Sequence, residues 1–146
     1  MADPNVAYLT SDDMPGLPFS EAVRVDRMLY LSGQIGLDRT GALVAGGIAA
    51  ETRQTMENIR RVLERHGSSL DHVVKCTVML ADIAEWGAMN EVYRAYFPAH
   101  LPARSAFGTS GLALGARVEI ECCAVKASNA SPAVAPAECF APATAW

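Results

Sequence analysis

Hydrophobic and polar positions change period several times along this chain, and each change marks the edge of an element. Ala22–Val25 and Met28–Gln34 read as a β-hairpin turning at Asp26-Arg27, with Tyr30, Leu31 and Ile35 supporting extended backbone. Gly33 interrupts the second run, which predicts a bulge or a close backbone approach. The stretch from Gly36 to Gly47, holding Asp38, Gly41 and the Gly46-Gly47 pair, reads as a loop. Between Ala49 and His66 the period becomes helical: Met56, Ile59, Val62 and Leu63 fall on one face, and Arg53, Glu57, Arg60, Arg61 and Glu64 on the other. Gly67 is placed to end this helix. Val73–Ala81 reads as a strand, with Val74, Cys76, Val78 and Leu80 on one face and Val73, Thr77 and Met79 on the other, interrupted by Lys75. Asp82 is a candidate cap for a second helix, with Glu85 in a capping-box position. Its apolar stripe is Trp86, Met89, Tyr93 and Phe97, and Pro98 ends it. Ala103–Thr109 and Ala116–Ala127 complete the strands.

The resulting order, β-β-α-β-α-β-β, describes a single α+β domain over residues 1–127, a mainly antiparallel sheet with two helices packed on one face. Residues 128–146 are rich in Ala, Pro and Ser, with Glu138 as their one charge, and read as a tail without regular structure. The strand at Val73–Ala81 is apolar on both sides, whereas two helices can cover only one. Its second face therefore calls for another subunit, in a closed homo-oligomer, or for the tail folded back over it.

Composition narrows the function classes. The 146 residues suit one domain, and 51% hydrophobic against 19% charged residues is a globular, rather apolar balance. A net charge of −4 disfavours a nucleic-acid partner, which usually leaves a basic footprint. No apolar run approaches the ~20 residues a membrane span needs. The first residues include Asp3, Asp12 and Asp13 and lack the pattern of an export signal, so a cytoplasmic protein is expected. Cys76, Cys122, Cys123 and Cys139 have neither zinc nor disulfide spacing and are expected to be reduced, small, buried hydrophobes. His66, His72 and His100 are scattered, so no metal site is expected. Neither a nucleophile elbow nor a phosphate or dinucleotide loop is present.

Two segments carry candidate chemistry. Pro102-Ala103-Arg104-Ser105 puts an arginine at a strand entry, and a guanidinium fork suits a carboxylate. In Arg117-Val118-Glu119-Ile120-Glu121-Cys122-Cys123, Glu119 and Glu121 share one strand face and could polarise a water. Taken singly, each reads more simply as a solvated surface group.

Together these residues carry a resemblance. Pro18-Phe19-Ser20, Leu31-Ser32-Gly33-Gln34-Ile35, Asn58, Gly67-Ser68-Ser69-Leu70-Asp71, Val73-Val74-Lys75, Asn90-Glu91-Val92-Tyr93, Phe97, Pro102-Ala103-Arg104-Ser105 and Val118-Glu119-Ile120-Glu121, in this order, resemble the Rid (YjgF-like) imine deaminase family from about Pro18 to Lys126. The resemblance implies a chorismate-mutase-like fold and a homotrimer with sites between subunits. It implies hydrolysis of reactive enamines and imines, of the 2-aminoacrylate type released by pyridoxal-phosphate enzymes, to 2-keto acids and ammonia, with no metal or organic cofactor. Arg104 would bind the substrate carboxylate and Glu119 would orient the attacking water, with Phe19, Ser32, Gly33, Asn90 and Ala106 around the substrate. An imine carbon is already electrophilic, so holding its carboxylate and positioning one water supplies most of what hydrolysis needs. A non-catalytic sensor of small carboxylates would use the same cleft without releasing ammonia. A ribonuclease, reported for some members, fits poorly with the acidic balance.

Phe19 and Ala106 depart from the tyrosine and cysteine that many members carry at these positions, leaving less polar or roomier surroundings. This predicts that imines of leucine and phenylalanine are hydrolysed at least as fast as that of alanine. Parallel rate measurements check it, and a clear preference for the smallest would count against it.

Overall fold

Alternating strands and amphipathic helices bury their apolar sides only by meeting one another. In the computed structural model, which describes residues 4–13 and 15–128, they meet as one sheet backed by two helices. The strands are β1 (Val6–Leu9), β2 (Ala22–Val25), β3 (Met28–Leu31), β4 (Gln34–Ile35), β5 (Val73–Leu80), β6 (Ala103–Gly108) and β7 (Val118–Val125). The helices are α1 (Gly47–Arg65) and α2 (Trp86–Ala95). The sheet runs β1-β2-β3-β7-β5-β6, with β4 also paired to β7. Strand pairs are antiparallel except β5–β6, which α2 connects in parallel.

Leu29, Leu31, Cys76, Val78, Leu80, Val118, Ile120, Cys122 and Ala124 line the covered face of the sheet. Met56, Ile59, Val62 and Leu63 of α1, with Met89 and Tyr93 of α2, close over them. Cys76 and Cys122 lie opposite each other in register, with their sulfurs 3.2 Å apart, as buried apolar side chains. The other face is open. Tyr8, Tyr30 and Phe107 are exposed there, and the Lys75 Nζ donates to Ser105 Oγ at 3.1 Å. This is the face that sequence reasoning expects a subunit or the tail to cover. The tail lies outside the described residues, apart from its first residue.

The pattern and the fold differ locally, for identifiable reasons. β1 carries no strong signal because it is a short edge strand with Val6 and Tyr8 turned outward. The expected second hairpin strand divides at Ser32-Gly33, so that Gln34 and Ile35 pair with β7 instead of continuing along β2. A register shift between Val73 and Lys75 reverses the expected faces of the first two residues of β5: Val73 is buried and Val74 exposed. Asp82 accepts from the Ala84 N–H and caps a short 3-10 turn, Ile83–Glu85, ahead of α2. Glu85 pairs with Arg117 rather than closing a capping box. Gly67, at φ +78°, ends α1 as expected. The Ser68 N–H reaches the Leu63 carbonyl and the Gly67 N–H the Glu64 carbonyl, a Schellman arrangement.

α1 also fixes the segment that follows β4. Gly36 lies so close to the helix that a Cβ there would sit 2.9 Å from the Glu51 carbonyl oxygen. The buried Asn58 side chain donates to the carbonyls of Ile35 at 2.9 Å and Leu37 at 3.0 Å. Its own oxygen accepts from Gln54 and Arg61. Asn58→Ala leaves two carbonyls without their donor and should destabilise the fold by about 1–3 kcal/mol, read as a lower denaturation midpoint.

Candidate active site

Arg104 pairs in register with the core residue Cys76, so its side chain leaves β6 on the helix-covered face. Because β6 is the edge strand, the guanidinium emerges beside α2. Trp86, Asn90 and Tyr93 lie at i, i+4 and i+7 along that helix and present one side to it. Arg104 Nη1 donates to Asn90 Oδ1 at 2.7 Å. Its Cζ lies 4.8 Å from the Tyr93 ring centroid and 5.5 Å from that of Trp86. Tyr93 stays a neutral ring, because burial raises its phenol well above the ordinary value. Among the described residues no carboxylate pairs with Arg104. A cavity of about 260 Å³ opens here, completed by Arg94, Leu101 and Pro102. It offers a cation, an amide and apolar walls, which suits a small carboxylate with a short apolar part.

Glu119 occupies different ground. Its neighbours Val118 and Ile120 are buried in the core, so the alternation of β7 turns the carboxylate to the open face. It pairs across to Ile35 of β4 and Met79 of β5. Its Oε1 fills the space where Gly33 lacks a side chain: a Cβ at Gly33 would lie 2.1 Å from it. The close approach expected at Gly33 is thus an approach by Glu119. Ser32 packs its hydroxyl onto the Ser20 carbonyl at 2.7 Å, and its N–H onto the Glu21 carbonyl at 3.0 Å, which brings the exposed Phe19 alongside this segment. Glu21 in turn binds Arg65 and, at 2.7 Å, His66, so the end of α1 secures the segment. Partial burial, and then the like charge of Glu121, raise the Glu119 pKa above its ordinary value.

The expected residues therefore fall into two groups. Arg104 and Asn90 are joined on the helix side of the sheet. Phe19, Ser32, Gly33 and Glu119 gather on the side of β4 and β7. One chain does not bring Arg104 and Glu119 together. Ala106 pairs with Val78, packs against the core and is not among the residues lining the cavity. Sequence reasoning reads Trp86 and Tyr93 only as an apolar helix stripe. The signal for a further role is Asn90, a polar residue set within that stripe opposite a charged strand residue. Among the described residues no three His, Cys, Asp or Glu side chains converge as a metal site would require, and no helix is long and apolar enough to cross a membrane.

Comparison with known proteins gives a consistent picture. The family model described as Endoribonuclease L-PSP matches residues 11–126. The 2-iminobutanoate/2-iminopropanoate deaminase of Mus musculus is 47% identical over 110 residues, covering 75% of this chain and 82% of the relative. The crystal structure of YEO7 from yeast superposes with a TM-score of 0.80 at 38% identity, over 84% of this chain and 100% of that one. RidA from the Antarctic bacterium Psychrobacter sp. does so with a TM-score of 0.75 at 36% identity, over 82% and 98%. With its fold, its motifs and most of its length matched, the chain belongs to the YjgF-like Rid family described as Endoribonuclease L-PSP.

Proposed function

We propose that this protein hydrolyses 2-imino acids and their enamine tautomers, of the 2-aminoacrylate type, to 2-keto acids and ammonia, removing reactive intermediates. The observation that carries the reading is the Arg104 guanidinium. It is held by Asn90 and two aromatic rings at a small cavity, with no acid partner among the described residues, in a chain 46–48% identical to mammalian proteins named for this reaction. Arg104 takes the substrate carboxylate and so fixes the imine carbon in space. Glu119 orients a water and accepts one of its protons as the oxygen adds to the carbon; that proton passes to the nitrogen, and as the C–N bond breaks the remaining O–H proton follows by way of Glu119, leaving a C=O group and ammonia. The raised pKa of Glu119 brings its basicity nearer to neutral pH, where such a proton acceptor works best. Ser32, Gly33 and Phe19 shape the water side of the site, and Asn90 the carboxylate side. No metal or organic cofactor enters the mechanism.

The reading includes a homotrimer whose sites form between subunits. It is supported by the two residue groups on opposite faces of one sheet and by the open face with Tyr8, Tyr30 and Phe107 exposed. Each site then takes Arg104 from one copy and Glu119 from the next. A net charge of −4 argues against an RNA partner. The cytoplasm, which keeps buried thiols such as Cys76 and Cys122 reduced, is the compartment that suits the chain.

An ammonia-release assay with freshly generated imino acids tests the reading. Arg104→Ala should raise KM by about 10- to 100-fold, as expected for loss of charged hydrogen bonds. Glu119→Gln should lower kcat by about 10²- to 10⁴-fold with little change in KM. Assayed with substrate well below the wild-type KM, the two impaired variants co-expressed should give roughly one quarter of wild-type activity if sites span subunits, and no more than the variants show alone if each chain holds a whole site.

The pH profile gives a second check. Glu119 must be ionised to accept a proton, so kcat/KM should fall with acid at a pH above the ordinary glutamate value. Glu121→Gln removes a like charge, eases ionisation of Glu119 and should move that limb to lower pH.

A further inference from the structure

A binding arginine must remain charged, oriented and unneutralised. An acid partner would orient it at the cost of competing with the ligand. Arg104 has none among the described residues. Among the described residues one of its five N–H donors is engaged, by Nη1 on Asn90 Oδ1 at 2.7 Å. Its orientation comes from ring faces, with Cζ 5.5 Å from the Trp86 centroid and 4.8 Å from the Tyr93 centroid. The face of an aromatic ring attracts a cation without cancelling its charge or occupying its N–H edge.

The cradle is rigid for reasons of its own. Tyr93 is 4% exposed and packs on Phe97, their ring centroids 5.0 Å apart. Trp86 is half-buried, packed against the core as the first residue of α2. With Asn90 between them on the same helix face, all three contacts to the guanidinium come from one element. The same three side chains line the cavity together with Arg104.

We propose that Trp86 and Tyr93 are positioning residues that set the plane of the Arg104 guanidinium, turning its free N–H edge to the cavity, and that Trp86 thereby governs how tightly the protein holds a carboxylate. The proposal rests on the reading that Arg104 receives the substrate carboxylate. Tyr93 belongs to the core and its removal endangers folding, so Trp86 is the residue to test.

The experiment compares wild type, Trp86→Leu and Trp86→Phe by calorimetric titration with pyruvate, by KM and kcat for ammonia release from 2-iminopropanoate, and by thermal midpoint. Trp86→Leu should raise the pyruvate Kd and KM together by about tenfold, with kcat within about twofold of wild type. Trp86→Phe, which keeps a ring face, should return both to within about threefold of wild type. A Trp86→Leu variant that binds pyruvate like wild type overturns the proposal. So does loss of kcat at constant KM, or a Trp86→Phe variant no better than Trp86→Leu. If Trp86→Leu fails to fold, fluorescence decides. The chain has two tryptophans, Trp86 and Trp146, so Trp146→Phe leaves Trp86 as sole reporter. Pyruvate should then change its emission with the calorimetric Kd, and should not do so when Arg104→Ala is added; unchanged emission overturns the proposal. Wild type that neither binds pyruvate nor releases ammonia defeats the reading of Arg104 itself. Normal wild-type behaviour with an indifferent Trp86→Leu defeats this inference alone.

Discussion

A β-strand sends successive side chains to opposite faces, and in this protein β7 carries the consequences at the centre of the sheet. It is hydrogen-bonded to β3 and β4 on one side and β5 on the other. Val118, Ile120, Cys122 and Ala124 can all reach the helices only if Glu119 and Glu121 turn the other way. The strand that supplies the middle of the core is thus also the one that holds a carboxylate on the uncovered face. The same alternation on β6 places Arg104 on the helix side. Packing the interior and dividing the reactive groups between two faces follow from one geometric rule.

Holding Glu119 in place depends on a chain of contacts that starts in α1. Asn58 grips the carbonyls on either side of Gly36, and Gly36 lies against the helix backbone. This brings β4 onto β7, with Ile35 opposite Glu119, and sets the bare backbone of Gly33 against the carboxylate. On the other side, Glu21 binds the two residues at the end of α1 and steadies the carbonyls that receive Ser32. Partial burial of the acid, with the change in basicity that follows, comes from these contacts rather than from any side chain hydrogen-bonded to it.

Much of this was legible from the residues alone, for physical reasons. Periodicity marked both helices and the long strands because each buries one side against a common core. The motifs around Gly33, Arg104 and Glu119 carried the family because their order is specific even though each alone reads as surface. β1 was not legible, since a four-residue edge strand with Val6 and Tyr8 outward buries too little to leave a pattern. The reversal at Val73 and Val74 was not legible either, because a bulge is a property of pairing between strands. The contacts of Trp86 and Tyr93 with Arg104 were hidden for a different reason. Facing the core and facing the guanidinium require the same apolar spacing, and only Asn90 within the stripe distinguishes them.

The two groups of site residues also differ in what surrounds them, and this bears on how such a protein can diversify. Arg104 sits beside residues that belong to the core, Tyr93 above all, so many changes there would disturb folding. Phe19 and Ser32 lie in a surface segment tied down mainly through its backbone and Glu21. On the proposed reading, new substrate preferences can therefore arise by drift on that rim, while the half assigned to the acid group stays constant from one specificity to the next.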